Sequence, residues 1–259
     1  MTLIATALSD RCVIQVVDRR ITKDGVLYDD IANKALCGFC ADARFSICYT
    51  GLTMTPVRTD EWLANFLAVD RLLSQPLPAV LDVLAKALTS EFERFRHLPG
   101  AQRRLTVAVA GFGPPGPFAA TVTNQEDDRG RVLAEPEDGF QISMALRTDK
   151  SMKRLDVIFH GAEGATDENL ARVLRKIRRK FFLKDGTRIS SALVAVIRRA
   201  AKHPKYGALI GPHCVSMVHM RDCAEIVCDD HFLGQRRKTH LPHFVSPTMS
   251  FKHLWIQPG

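Results

Sequence analysis

The chain has 259 residues, 36 Lys+Arg against 28 Asp+Glu, and 46 % hydrophobic residues. That is enough material for one large globular domain with a buried core, and a mean hydropathy of −0.05 with 25 % charged residues excludes a disordered or collagen-like polymer. The formal net charge of +8 permits an anionic partner but is mainly a solubility property.

The first fifty residues are dominated by short apolar segments. Thr2–Leu8 and Val13–Val17 read as strands joined by Ser9-Asp10-Arg11, and Lys34–Cys37 and Arg44–Thr50 read as a second pair. Two helices follow, Asp60–Leu73 with Thr59 as its cap and Leu77–Arg96, separated by Pro76 and Pro78. Strand patterns return at Leu105–Gly111, Phe118–Thr123, Phe140–Arg147 and Leu155–Phe159, with the polar loop Asn124–Gly139 among them. A second helical pair is expected at Asp167–Leu183 and Ser190–Lys202. Strands at Cys214–Met220 and Ala224–Cys228 then precede a Pro- and His-rich tail from about Asp229. Strands and helices come in runs, so the fold class is α+β, and the order can sandwich two sheets between two helical layers. The expected division is a domain over 1–228 and a C-terminal extension over 229–259.

No apolar run approaches the ~18–20 residues of a membrane span. The start has no basic region before its apolar stretch, so no signal peptide is expected. Seven cysteines, an odd number, fit reduced thiols and a cytoplasmic location better than a disulfide framework.

Thr2 is the most informative residue. Removal of Met1 would leave a threonine whose hydroxyl and free α-amine sit on one residue. The amine's reference pKa of about 7.7–8.0 lets it act as a base near neutrality. Asp18, Arg20 and Thr22 form D-x-R-x-T, and Lys34 follows after eleven intervening residues. With Thr2, this spacing resembles the proteasome β-subunit family of N-terminal-nucleophile (Ntn) hydrolases, bacterial members included. Tyr49-Thr50-Gly51-Leu52 is similar to the family's glycine turn. The resemblance is clear over residues 2–55 and fits by element order to about residue 228.

The resemblance implies a four-layer αββα sandwich of mainly antiparallel sheets and a threonine-type peptidase working through an acyl-enzyme. Thr2 is then the nucleophile, Lys34 its electrostatic activator, Asp18 the orienter of that lysine, and the Gly51 N–H an oxyanion donor. Arg20 and Thr22 would hold the strand and a bound peptide backbone. Ile21, Leu36, Tyr49 and Thr53 would line an apolar side-chain pocket. It also implies a peptide or protein substrate and a homo-oligomer, with a ring as one form. It calls for no cofactor and no metal, and leaves any ATPase partner open. Two family features are missing: His160-Gly161-Ala162-Glu163-Gly164 lacks the usual serine, and Gly207-Ala208-Leu209-Ile210-Gly211 lacks the usual aspartate and serine. Glu163 is one substitute for positioning the amine. A catalytically silent Ntn-fold scaffold is the alternative reading.

Three other patterns carry less. Gly111-Phe112-Gly113-Pro114-Pro115-Gly116 fits G-x-G-x-x-G, but two prolines lack the N–H donors of a phosphate cradle, so a hairpin turn is expected. Cys37-Gly38-Phe39-Cys40 lies between strands, where no helix start lowers a thiol pKa; a zinc site would need a second pair such as Cys228 and His231, without standard spacing. Arg172 to Lys180 and Arg198 to Lys205 are rich in basic residues. They support a lesser, nucleic-acid-associated reading, without the aromatic ladder such a surface uses. His240, His243 and His253 are too widely spaced to argue a ligand set.

Overall fold

The computed structural model describes residues 2–23, 25–52, 57–69, 71–127, 132–146, 155–161, 185–234 and 242–247. Two sheets face each other. The first has five strands in the order β10-β1-β2-β11-β12: β1 (Leu3–Leu8), β2 (Cys12–Asp18), β10 (Asp156–Gly161), β11 (Cys214–Met220) and β12 (Ile226–His231). The second has six in the order β13-β5-β6-β7-β8-β9: β5 (Ala35–Phe39), β6 (Arg44–Gly51), β7 (Leu105–Gly113), β8 (Gly116–Thr123), β9 (Gln141–Leu146) and β13 (His243–Val245). Every pairing is antiparallel except β13 with β5. A separate hairpin joins β3 (Ile21–Lys23) to β4 (Val26–Asp29).

Strands β1 and β2 read as continuous apolar runs because both faces are covered. On β1, Leu3, Ala5 and Ala7 face helix α3 (Gly186–Ala200), while Ile4 and Leu8 pack toward the second sheet. The α3 side of that contact is Ile189, Leu193, Val194 and Ile197, an apolar stripe at helical spacing. Asp185 caps the helix, accepting from the Arg188 N–H at 3.0 Å. The outer face of the second sheet is covered by α1 (Thr59–Leu67) and α2 (Leu77–Phe92), through Leu63, Leu67, Val80, Leu81, Leu84 and Leu88. Asp42, in the turn between β5 and β6, accepts from the Leu77 N–H at 2.8 Å and so fixes the start of α2.

A hydrogen-bonded polar cluster sits in the apolar space between the sheets. Gln15 points inward from β2, accepting from Ser46 Oγ at 2.7 Å and donating to the Ala108 carbonyl at 3.2 Å. His219 Nε2 lies 3.0 Å from the same Ser46 hydroxyl, and burial pushes its pKa down to about 3, so the ring is neutral there.

Three expectations change. Thr59 does not cap α1: it is the first helical residue, Arg58 precedes it, and its hydroxyl donates to the Leu52 carbonyl at 2.9 Å. α1 also ends at Leu67 rather than Leu73, because the chain tightens into i→i+3 bonds from Val69 onward and Arg71 takes a φ of 68°. The segments β3, β4 and β13 were not expected as strands; β13 adds to the β5 edge, and the expected boundary at 228 falls within β12. The proline turn behaves as expected, with Gly113 and Gly116 paired as the ends of a hairpin. The expected helix over 167–183 lies outside the described residues. No helix among the described residues is long and apolar enough to cross a membrane.

Candidate active site

The two ends of β1 and β2 that carry Thr2 and Asp18 lie side by side, because antiparallel pairing sets Ile4 opposite Val17. Lys34 enters from the second sheet, immediately before β5. All three are enclosed: Thr2 is 1 % exposed, and Asp18 and Lys34 are fully buried. The Lys34 ammonium donates to Thr2 Oγ1 at 2.5 Å and to the Arg20 carbonyl, and lies 3.6 Å from Asp18 Oδ1. Burial lowers the Lys34 pKa from its ordinary value, and the Asp18 carboxylate opposes part of that shift.

Asp18 is tied in place by backbone donors. Its Oδ2 accepts from the Leu3 N–H at 2.8 Å, and its Oδ1 from the Arg20 N–H at 2.9 Å and the Gly211 N–H at 3.1 Å. One carboxylate therefore locks the residue after Thr2, the turn after β2 and the loop before β11 together. The 207–211 loop, which lacks polar side chains, reaches Asp18 through its backbone instead. Arg20 braces the same loop, with its guanidinium donating to Asp30 Oδ1 at 2.9 Å and to the Gly207 carbonyl at 3.0 Å.

Thr2 is also gripped from the side. Thr50 Oγ1 donates to the Thr2 carbonyl at 3.4 Å. Gly161, at a φ of 99°, comes so close that a Cβ there would stand 1.9 Å from that carbonyl oxygen. Gly51 follows Thr50 at a φ of 111°, and a Cβ on it would stand 2.0 Å from the Arg104 carbonyl. Its glycine identity thus has a packing cause as well as a proposed catalytic one.

Of the other expected residues, Ile21 and Thr22 lie on β3 beside this corner, Ile21 being buried and Thr22 half-buried. Leu36 and Tyr49 belong to the core facing α1 and α2, and neither presents surface to solvent. The Tyr49 hydroxyl donates to the Asn33 carbonyl at 3.1 Å, and Arg58 donates to the same oxygen at 3.3 Å. These two contacts brace the residue before Lys34. Arg58 is held by Asp60 at 3.1 Å, and Asp60 lies 3.2 Å from His243 Nε2 on β13. Met1, Thr53, Ala162, Glu163 and Gly164 lie outside the described residues. So does the basic stretch from Arg172 to Lys180.

Sequence reasoning passed over Arg19. It is fully buried, paired with Asp230 on β12, and donates to the Ala32 carbonyl at 3.2 Å. Because the Arg19 guanidinium is fully buried, removing its carboxylate partner in Asp230→Ala is expected to cost about 3–5 kcal/mol. Urea denaturation checks this: Asp230→Ala should lower the midpoint clearly, and Asp230→Asn, which keeps an acceptor, should lower it less.

Arg198, one of the basic residues on α3, donates to the Pro212 and Phe232 carbonyls at 3.1 and 2.9 Å, which assigns it a structural role. Cys40 does not pair with Cys37; its thiol lies 3.5 Å from Asp42 Oδ1, in a turn where the Cys40 N–H bonds the Ala43 carbonyl. Among the described residues no group of three or more His, Cys, Asp or Glu side chains is arranged to hold a metal.

No protein-family model matches the sequence, and no curated protein matches it. The structure is similar to that of Anbu, a bacterial proteasome-like protein, in a Gly-1 mutant from Hyphomicrobium sp. strain MC1. The two share 10 % identity with a TM-score of 0.58, over 89 % of this chain and 87 % of that one. The fold is proteasome-like and of the Ntn-hydrolase kind. At this identity the likeness concerns the fold alone.

Proposed function

We propose that this chain is an N-terminal-threonine amide hydrolase, a peptidase of the proteasome-like Ntn type, acting in its processed form that begins at Thr2. The observation that carries the reading is the 2.5 Å contact from Lys34 Nζ to Thr2 Oγ1, inside an enclosure that Asp18 also organises. In that form the Thr2 amine takes the hydroxyl proton, and Oγ1 attacks the carbonyl carbon of a peptide bond. The Lys34 ammonium stabilises the developing alkoxide, and the Gly51 N–H faces the oxyanion. The tetrahedral species collapses with the proton passing to the departing amine. Water then cleaves the Thr2 ester and regenerates the hydroxyl. Arg20 and Thr22 flank the bound backbone beside Ile21, while Leu36 and Tyr49, closed off in the core, support the strands behind the site.

The reading extends to the whole molecule. It takes the architecture as a complete αββα sandwich, to which β12 and β13 both belong. It takes the assembly as a homo-oligomer in the cytoplasm with peptide or protein substrates and no cofactor. A second reading, a catalytically silent scaffold, is favoured by two observations. Thr2 is almost without exposure, and the 207–211 loop offers Asp18 the Gly211 N–H but no hydroxyl or carboxylate for an amine.

A peptide epoxyketone separates the two, because ring closure consumes the hydroxyl and the α-amine of one residue together. Intact mass of the native protein should show a chain without Met1 that gains one probe mass. A processed chain that gains none would establish the scaffold reading instead.

A further inference from the structure

The C-x-x-C pattern separates on folding, yet Cys37 does meet a second thiol. Its side chain leaves β5 toward the space between the sheets, packed with Ala35, Cys48 and Met217. Cys228 approaches from β12 of the opposite sheet, and the two Sγ atoms lie 3.5 Å apart. They are 191 residues apart in sequence and stand on strands that no hydrogen bond connects. A third thiol, Cys48, shares the same cluster on the neighbouring strand β6.

We propose that Cys37 and Cys228 form a reversible disulfide that staples the two sheets together, driven by a peroxide or a small-molecule disulfide. Closing the sulfurs from contact to a bond of about 2.05 Å requires a modest approach of two side chains. The two thiols differ in access, and this sets the order of events. Cys228 is half-buried and meets the oxidant; Cys37 is fully enclosed and acts second. With a peroxide, the Cys228 thiolate attacks one oxygen, the O–O bond breaks, and a sulfenic acid forms with release of water or alcohol. The Cys37 sulfur then attacks the Cys228 sulfur and expels hydroxide, which leaves as water with the thiol proton. The two thiols together lose two electrons and two protons, and the peroxide is reduced. With a small disulfide, Cys228 first forms a mixed disulfide, and Cys37 displaces the second thiol from it. Burial pushes the Cys37 thiol well up from its ordinary value, which disfavours its thiolate.

The position gives the bond mechanical leverage. β5 begins one residue after Lys34, and β12 carries Asp230, the partner of buried Arg19. A covalent tie here joins the strands that hold the two sides of the candidate site, and it closes a long loop in the unfolded chain.

The test uses the full native chain. It is exposed to hydrogen peroxide or oxidised glutathione, its remaining thiols are blocked with N-ethylmaleimide after unfolding, and it is digested without reductant. Seven cysteines are free before treatment. The expected result is two thiols lost, one cross-linked peptide pair containing Cys37 and Cys228, and a thermal midpoint raised on the order of 5–10 °C that dithiothreitol reverses. Cys228→Ser should abolish the pair. Should that variant fold poorly, the wild-type peptide map decides alone. Retention of seven thiols, a Cys228 adduct that never resolves, or linkage to any other cysteine overturns the proposal.

Discussion

Thr2→Ala is expected to abolish amide hydrolysis and epoxyketone labelling while leaving the fold in place. The substitution removes Oγ1, the atom that Lys34 contacts at 2.5 Å, but keeps the backbone that Thr50 and Gly161 grip. Thr2→Ser is the informative companion. It retains a hydroxyl and, once Met1 is removed, an amine, so it should hydrolyse peptide at a reduced but measurable rate. The reduction follows from the lost methyl, which in threonine limits the rotamers open to Oγ1. Turnover of a fluorogenic peptide library by the three processed forms checks the pair. Equal activity in wild type and Thr2→Ala would assign hydrolysis to some other group, and the Thr2 mechanism would fall.

The difference between what the sequence discloses here and what it conceals is one of distance along the chain. β1 and β2 are legible because runs such as Leu3–Leu8 and Cys12–Asp18 are mostly apolar, and the structure buries both faces. Thr2, Asp18 and Lys34 stand out by residue type and spacing, and the fold brings them together. The β3–β4 hairpin carried a usable signal, Asp24-Gly25 between two short strand-forming segments, with Gly25 at a φ of 78°. Polar flanking residues and exposed Val26, Leu27 and Tyr28 hid it from a reading that looked for buried strands.

Other features leave no local trace. Arg19 looks like a surface charge until Asp230 arrives from β12. Nothing in the sequence around His243 announces its contact with Asp60, which the parallel pairing of β13 with β5 sets up. The Gly211 N–H carries no side chain to announce its bond to Asp18. Helix ends failed for a related reason. Thr59 is a good capping residue by type, but the Leu52 carbonyl claims its hydroxyl first.

Lys34→Ala is expected to reduce kcat/KM by roughly 10²–10³-fold, the scale of removing one strong, preorganised electrostatic contact from an enclosed site. The pH profile distinguishes this role from simple packing. Lys34 serves as an ammonium, and burial lowers its pKa from the ordinary lysine value. The wild-type rate should therefore rise as the Thr2 amine loses its proton, near about pH 7.7–8.0, and fall again on the alkaline side as Lys34 deprotonates. The sign is fixed by the direction of the shift: a lowered pKa moves the falling limb below the pH at which a free lysine titrates. Lys34→Arg keeps its charge at every accessible pH, so any activity it retains should lack that limb. The same shift acts on stability. The folded state binds the Lys34 proton less tightly than the unfolded chain does, so this group's contribution favours folding increasingly as pH rises from its folded pKa toward the ordinary lysine value. Activity should thus decline in an alkaline range where Lys34 itself is not unfolding the protein. A rate that instead keeps climbing through that range in wild type and levels off in Lys34→Arg would make neutral Lys34 the proton acceptor, and the Thr2 amine would lose that role.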